Sequence, residues 1–286
     1  MTMLTKSIVA VLTLLVTRSG FGAETDIQKI EAALPAKASA APAHPRRILV
    51  FNKCQGFRHA VIPVAAKAFE LMGKKTGAFS TVESTDVTIF NANALKEFDA
   101  VLLNNTTALK LGDDQKKALL AFVKEEGKGL IGTHAASDNF NDWPEGAAMI
   151  GGQFDGHPWT ANGTWAVKID DPTHPLNRSF EGKGFKIKDE IYQIKGPYSR
   201  TTHRVLLSLD LSDPATSTPA GQKRADKDNP ISWIRDCGKG RIFYCSLGHN
   251  PSVFWDAAII QHYLDGIQFA LGDLKVDTTP SAQIRK

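Results

Sequence analysis

Four histidines stand where the chain could bring imidazoles together. His59 follows the first predicted strand, His134 ends the fourth, His157 follows a Gly-Gly-Gln-Phe-Asp-Gly turn, and His249 ends the last strand. Because ligands bind at the carboxyl ends of parallel strands, we expect these side chains to converge on one cleft. Glu190 adds a carboxylate. Such a set suits either a transition metal or general acid–base chemistry, since histidine titrates near neutral pH.

The segment around His134 predicts a sharp turn at a strand end. A short apolar strand, Gly129–Thr133, stops at His134 and is followed by small residues. Small residues allow an elbow that pushes the central side chain out of the sheet, as in enzymes with a nucleophile elbow. The side chain presented is an imidazole. His134, His249 and Glu190 are therefore the candidate catalytic residues, and His59, His134 and His157 the candidate metal ligands.

The other motifs narrow the candidate cofactors. No G-x-S-x-G sequence supports a serine hydrolase, and no strand leads into Gly151-Gly152 as a dinucleotide fingerprint requires. A divalent metal of unknown identity is thus the candidate cofactor, and no nucleotide is expected. Trp143, in the loop after the elbow, would either stack on a sugar ring or act as a buried anchor. The remaining histidines are predicted to be structural or exposed: His44, His174, His203 and His262.

Alternating apolar strands and amphipathic helices predict an α/β fold with a mostly parallel sheet flanked by helices. A closing helix is predicted over 252–271, and a long strand over 185–194. The other predicted strands are 47–52, 79–83, 98–105, 129–133, 164–169, 204–209, 231–235 and 241–247, with helices near 61–73 and 113–127.

The chain divides into four predicted segments. Residues 1–23, with Lys6 and an apolar run over 8–16, resemble a cleavable signal peptide. That run is shorter than the roughly 20 residues of a stable membrane anchor, so a periplasmic or secreted protein is expected. Residues 24–45 form an Ala/Pro-rich spacer, 46–272 the domain, and 273–286 a polar tail.

Composition excludes some partners. The 286 residues carry a formal net charge of +4 without a dense basic run, so nucleic acid is not an expected partner. Three cysteines, Cys54, Cys237 and Cys245, lack zinc-site spacing. One disulfide or free thiols are both compatible with them, and the oligomeric state stays open.

Several ordered motifs resemble the ThuA-like family of trehalose-utilisation proteins. The resemblance covers roughly Ile48 to Leu271. It rests on Gly56-Phe57-Arg58-His59, the elbow Gly132–Asp138, Trp143, Phe154–Pro158, Asp189-Glu190-Ile191-Tyr192, Pro230-Ile231-Ser232-Trp233, Gly240–Tyr244 and Gly248-His249.

The resemblance implies a flavodoxin-like sheet of the class I glutamine amidotransferase type. True amidotransferases carry a cysteine at the elbow and a late His-Pro-Glu, whereas this chain has His134 and His249-Asn250-Pro251. Glutaminase chemistry needs a thiolate, so that activity is not expected. Family members commonly have His-Pro where this chain has Asn229-Pro230. Either that position is not essential, or this branch has changed its chemistry or substrate.

The resemblance also implies a small-molecule carbohydrate as ligand. The family is linked to sugars first oxidised to a 3-keto form, in which the ketone acidifies the neighbouring C–H. Cleavage, hydrolysis or isomerisation of such a sugar needs a base and a stabilised enolate, often through a metal. The candidate substrate-binding residues are Arg58, Asp138, Trp143 and Tyr192. The alternative is a non-catalytic carbohydrate-binding module on a degenerate amidotransferase scaffold, and a structural or partner-binding domain is less favoured.

Overall fold

The computed structural model describes residues 21–284, with side chains from residue 26 onward. The predicted signal peptide therefore lies almost entirely outside the described residues. Within residues 21–284, no helix is both long enough and apolar enough to cross a bilayer.

The strands are β1 (Arg47–Phe51), β2 (Ser80–Ser84), β3 (Ala100–Asn104), β4 (Gly129–Thr133), β5 (Gln153–Phe154), β6 (Thr164–Ile169), β7 (Phe185–Lys188), β8 (Ile194–Lys195), β9 (Arg204–Leu209), β10 (Pro230–Cys237) and β11 (Gly240–Cys245).

A nine-stranded sheet organises the described chain, in the order β2-β1-β3-β4-β11-β10-β9-β6-β7. Every pair from β2 to β11 is parallel, and every pair from β11 to β7 is antiparallel. The sheet and its helices confirm the predicted α/β fold. Strands β3 and β4 are buried along their whole length, as their continuous apolar runs predict for the centre of a parallel sheet.

Helices pack on both faces of the sheet and form two apolar cores with it. Local capping residues set the helix ends. The Asp256 side chain accepts hydrogen bonds from the first backbone N–H groups of the last helix, and Gly77 ends the second helix with a left-handed backbone conformation. The α-helices are α1 (Phe21–Ala33), α2 (Ile62–Thr76), α3 (Ala92–Leu95), α4 (Asp113–Lys124), α5 (Pro144–Ile150), α6 (Pro214–Ser217) and α7 (Ala257–Ala270), and the 3-10 turns are Val87–Ile89, His134–Asp138, Pro175–Phe180, Pro251–Trp255 and Ser281–Gln283.

The carboxyl ends of β3, β4 and β11 are level with one another. Thr133 at the end of β4 is paired in register with Asn104 on β3 and with Cys245 on β11. The residues that follow these strands therefore share one edge of the sheet. This register is what places the loop after β4 beside the loop after β11.

Two predicted elements are interrupted. The expected strand over 185–194 ends at Lys188, because the buried Asp189 turns away from the sheet to accept hydrogen bonds from the loop after β11. The expected helix over 252–271 becomes a 3-10 turn, Pro251–Trp255, followed by α7. Asp256 lies in extended backbone between them and caps α7, which is why the two are separate.

The segment before β1, expected to be a spacer, packs closely on the domain. Helix α1 contacts α2 and α7 and buries Ile30, and Leu34 directly after the helix is also buried. Beyond it, the backbone N–H groups of Ser39 and Ala40 donate to Gln268 Oε1 on α7, over 2.6 and 3.1 Å. The segment is therefore held against the domain by both apolar packing and hydrogen bonds.

Candidate metal centre and active-site cleft

Three histidines and one glutamate converge at the carboxyl edge of the parallel strands. His59, His134, Glu190 and His249 each offer one ligand atom, and these four atoms lie within 4.8 Å of one another. His59 comes from the loop between β1 and α2, His134 from the end of β4, and His249 from the loop after β11. Glu190 comes from the segment between β7 and β8, in the antiparallel half of the chain.

The turn at His134 has the geometry of an elbow. His134 has φ +44°, in the left-handed region that non-glycine residues enter only at some cost. Its carbonyl oxygen accepts a 2.6 Å hydrogen bond from the Tyr244 hydroxyl, which holds the turn in place. The neighbours must be small, because a Cβ on Gly132 would lie 2.8 Å from the Tyr244 ring. The expected elbow is present, and it opens a 3-10 turn rather than an α-helix.

A hydrogen bond fixes the tautomer of His134. Its Nδ1 lies 2.8 Å from the Ser246 carbonyl oxygen and must donate a proton to it. The lone pair of neutral Nε2 therefore points at Glu190 Oε1, 3.6 Å away, and at His249 Nδ1, 3.3 Å away. Two acceptors, an imidazole lone pair and a carboxylate, thus face each other. Such an arrangement is stabilised when a cation lies between them.

The spacing of these atoms suits a first-row transition metal. His134 Nε2, His249 Nδ1 and Glu190 Oε1 form a nearly equilateral triangle with sides of 3.3, 3.3 and 3.6 Å. Ligands at roughly 2.1 Å from a tetrahedral metal are separated by about 3.4 Å. The geometry therefore fits a metal ion without rearrangement of these three side chains.

His59 is prepared to be a neutral ligand. Its ring centroid lies 5.0 Å from that of His134 and 5.2 Å from that of His249. Burial, reinforced by these two imidazoles, lowers the pKa of His59 to about 3. Its Nδ1 is buried without a hydrogen-bond partner among residues 26–284. An unprotonated imidazole with a buried, unpartnered nitrogen is compatible with a metal ligand.

The Glu190 carboxylate is the anionic centre of the group. Burial alone would raise the pKa of Glu190, but its contacts with the His134 and His249 imidazoles outweigh burial and hold that pKa far below its usual range. The same contact with Glu190 raises the pKa of His249. Glu190 is thus ionised at neutral pH and supplies the charge that a divalent ion needs.

A second carboxylate, Asp189, holds the loop that carries His249. Its side chain accepts backbone hydrogen bonds from Gly248 and Asn250, each 2.7 Å long, and a weaker one from His249 at 3.4 Å. Asp189 is fully buried. It therefore ties the loop after β11 to the segment that carries Glu190 and sets the distance between Glu190 and His249.

A cleft of about 370 Å³ opens above this group. His134 is buried beneath its floor, while His59, Glu190 and His249 reach its wall. The expected substrate-binding residues Asp138 and Tyr192 also line it. Burial raises the pKa of both side chains. The lining residues are Phe57, His59, Thr107, Asp138, Phe154, His157, Glu190, Tyr192 and His249.

Trp143 and Arg58 do not line the cleft, whereas His157 lines it as expected but lies outside the compact group of four. Trp143 is buried against Phe140 and Gly146, so it is the anchor and not the stacking platform. Arg58 is exposed and does not line the cleft. His157 is half exposed and lies 3.4 Å from Glu190 Oε2, the oxygen that points away from the triangle. The sequence suggested His59, His134 and His157 as metal ligands. The compact group in the structure contains His59 and His134 together with Glu190 and His249, and it does not contain His157.

Sequence reasoning missed three contributors. Phe57 and Phe154 line the cleft and lie in two of the motifs, so an aromatic residue within a motif was the available signal. Asp189 directly precedes Glu190, but its role depends on a contact with residues 60 positions away.

The remaining histidines and the cysteines lie outside the site. His44 is exposed, and the buried ones are His174, His203 and His262. All three cysteines are free thiols, so the disulfide alternative is not realised.

Comparison with known proteins identifies the family. The family model for ThuA, described as trehalose utilisation, matches residues 47–270. This match spans most of the chain, and the chain therefore belongs to the ThuA family. No curated protein matches the chain.

Solved structures support the same fold. A thua-like protein from Bacteroides uniformis is 23% identical, with a TM-score of 0.66 over 86% of this chain and 99% of its own. A thua-like protein from Parabacteroides merdae is 17% identical, with a TM-score of 0.61 over 85% of this chain and 100% of its own. At these identities the likeness shows the fold alone.

Proposed function

We propose that this protein is a metal-dependent enzyme that acts on an oxidised glycoside, such as a 3-keto derivative of trehalose. The observation that carries the proposal is the group of three imidazoles and one carboxylate, within 4.8 Å of one another, beside an open cleft. The family description, trehalose utilisation, favours a disaccharide or a related glycoside as the substrate class. No thiol lies at the elbow, so glutaminase chemistry is not part of the proposal.

His134, His249 and Glu190 would hold the metal, with His59 as the fourth ligand. When bound, a divalent metal supplies Lewis acidity that polarises a substrate carbonyl and stabilises negative charge beside it. The Ser246 carbonyl oxygen and Asp189 orient two of these ligands from behind, as outer partners of metal-binding histidines commonly do.

His157 is the side chain best suited to move a proton. It is half exposed, lies outside the tight ligand group and contacts Glu190 Oε2 at 3.4 Å. The ketone of a 3-keto glycoside acidifies the C–H at C2, and His157 would take that proton. The electrons of the C–H bond form a C1=C2 double bond, and the glycosidic C1–O bond breaks. The leaving alcohol oxygen then receives the proton that His157 removed, directly or through water, so the reaction is an elimination without a net redox change.

The proposal is tested with His134→Ala and Glu190→Gln, with exposed His44→Ala as the matched control. We expect both site variants to lose bound metal in elemental analysis and to lose turnover of 3-ketotrehalose, while His44→Ala keeps both. Circular dichroism checks that the variants remain folded. Full turnover by folded His134→Ala would contradict the assignment.

A carbohydrate-binding module is the second candidate. The observation in its favour is the elbow itself, which keeps the strained backbone at His134 without the nucleophile that such elbows usually present. Calorimetry that detects binding of sugars, with no product from a panel of plain and oxidised glycosides, would favour the module. Formation of product from any keto-glycoside favours the enzyme.

Export is part of the proposal. Its support is the sequence pattern of residues 1–23, with a basic start, an apolar middle and small residues at the exit. N-terminal sequencing of protein recovered from the periplasm or the medium should begin near Glu24. Recovery of the intact amino terminus in the cytoplasmic fraction alone would contradict export.

A further inference from the structure

Phe57 presents an aromatic ring at the mouth of the cleft. Phe57 is 69% exposed, whereas the other exposed large apolar residues among residues 26–284, Ile27 and Ile284, are 36% and 38% exposed. A single exposed apolar residue is ordinary on a protein surface. What distinguishes Phe57 is that it lines the same cleft as the His–Glu group.

The backbone holds this ring in a defined position. The Thr107 hydroxyl donates a 2.7 Å hydrogen bond to the Phe57 carbonyl oxygen. The N–H groups of Gln55 and Gly56 donate to the Thr107 carbonyl oxygen over 2.9 and 3.3 Å. A side chain on Gly56 would crowd this contact, since its Cβ would lie 3.1 Å from that of Ala108. The ring is therefore presented by a loop that is hydrogen-bonded to the segment after β3.

The ring faces the cleft from outside the ligand group. Its centroid lies 4.9 Å from that of His59, with the two planes at 81°, so one contact of Phe57 is already made with a proposed ligand. The part of the Phe57 ring that His59 does not cover is exposed. A sugar ring reacting at the His–Glu group would lie further in, and Phe57 would meet whatever is attached to it.

A sugar also needs polar contacts, and other residues of the same cleft supply them. Asp138 supplies a carboxyl and the half-exposed His157 an imidazole on its wall. Phe154 is fixed against Tyr192 and His157, at centroid distances of 4.3 and 5.9 Å. The cleft thus combines hydrogen-bonding groups with aromatic surface, which matches a pyranose with polar edges and an apolar C–H face.

We propose that Phe57 forms an outer subsite that binds the leaving group of the substrate through a flat, apolar ring face. This inference rests on the proposed function and adds the specificity of its site. The ligand chemistry is a second ring, either another pyranose or an aryl group. Glycosides with a small leaving group would not reach Phe57.

The experiment compares three substrates in wild-type protein, Phe57→Ala and Phe57→Trp. They are methyl 3-keto-glucoside, 3-ketotrehalose and 4-nitrophenyl 3-keto-glucoside. Loss of the aromatic contact should raise KM for one or both two-ring substrates about tenfold, and change that for the methyl glycoside by less than about twofold. Phe57→Trp should return KM for these substrates to the wild-type value. Ile284→Ala, which truncates another exposed apolar residue, should leave KM unchanged for all three substrates.

The outcomes separate the two proposals. If 3-ketotrehalose alone is affected, the subsite takes a pyranose, and if the nitrophenyl glycoside alone is affected, it takes an aryl group. If Phe57→Ala affects all three substrates equally or none, the subsite is wrong while the enzyme assignment stands. If wild-type protein converts none of them, the proposed function fails and the subsite fails with it.

Discussion

At the scale of single residues, the site depends on which atoms carry protons. The Ser246 carbonyl oxygen accepts a hydrogen bond from His134 Nδ1–H, so Nε2 is left with a lone pair that faces Glu190. Asp189 acts in a parallel way on His249, through the backbone of its loop. The arrangement of the proposed ligand atoms is therefore set by groups that do not themselves reach the cleft.

Asp189→Asn tests this positioning role. The amide would place an N–H₂ against backbone N–H groups that now meet carboxylate oxygens, so the loop with His249 should shift. We expect affinity for Zn²⁺ to fall about 10- to 100-fold, as for other outer partners of metal ligands. Competition with a chromophoric chelator measures it, with exposed Asp142→Asn as the control. An unchanged affinity in folded Asp189→Asn would show that the loop needs no such support.

At the scale of elements, the first helix is more than a connection to the domain. Ile30 is buried between α1 and the domain, whereas Ile27, one turn earlier on the same helix, is exposed. The composition of residues 24–45 indicated a spacer because Ala and Pro are common in linkers. Three apolar contacts at helical spacing, Ile30, Ala33 and Leu34, decided otherwise.

Ile30→Ala and Ile27→Ala form a matched pair for this element. Truncation of the buried side chain should lower the free energy of unfolding by about 2–5 kcal/mol. Truncation of the exposed one should change it by less than about 1 kcal/mol. Urea denaturation of both variants measures the difference. Equal effects would mean that α1 does not dock on the domain in solution.

At the scale of the whole molecule, the site is built from both the parallel and the antiparallel half of the chain. The parallel half supplies His59, His134 and His249, and the antiparallel half supplies Glu190 and His157.

The same antiparallel half buries His203, whose Nδ1 donates to the Ser199 carbonyl oxygen and whose Nε2 has no partner among residues 26–284. Burial, aided by Arg235, lowers the pKa of His203 to about 4.

This histidine should make the stability of the molecule depend on pH. The folded pKa lies below the unfolded value of about 6.5, so the unfolded chain binds the proton first and stability falls as the pH drops from about 6.5 to 4. Between pH 7 and pH 5 the loss from His203 should be about 2 kcal/mol. Urea unfolding at both pH values measures it. His203→Gln should show a smaller loss, and an identical loss would exclude His203 as its source.

Much of the parallel half could be predicted from local patterns. Apolar runs bounded by turn residues marked β1, β3 and β4, and the small residues around His134 marked the elbow. The convergence of His59, His134 and His249 followed from one rule, that parallel strands end at a common edge. The strands and the elbow are set by short stretches of chain, so the amino-acid sequence determined them by itself.

The tertiary structure decided the rest of the site. Glu190 lies beside His249 because the adjacent Asp189 breaks a strand and binds a loop some 60 residues later. His157 contacts the other carboxylate oxygen of Glu190 and lies outside the compact group. Trp143 is buried and Phe57 exposed, although both are aromatic residues of motif segments. Such outcomes depend on long-range packing, in which a side chain's partner comes from a distant part of the chain and no local pattern records it.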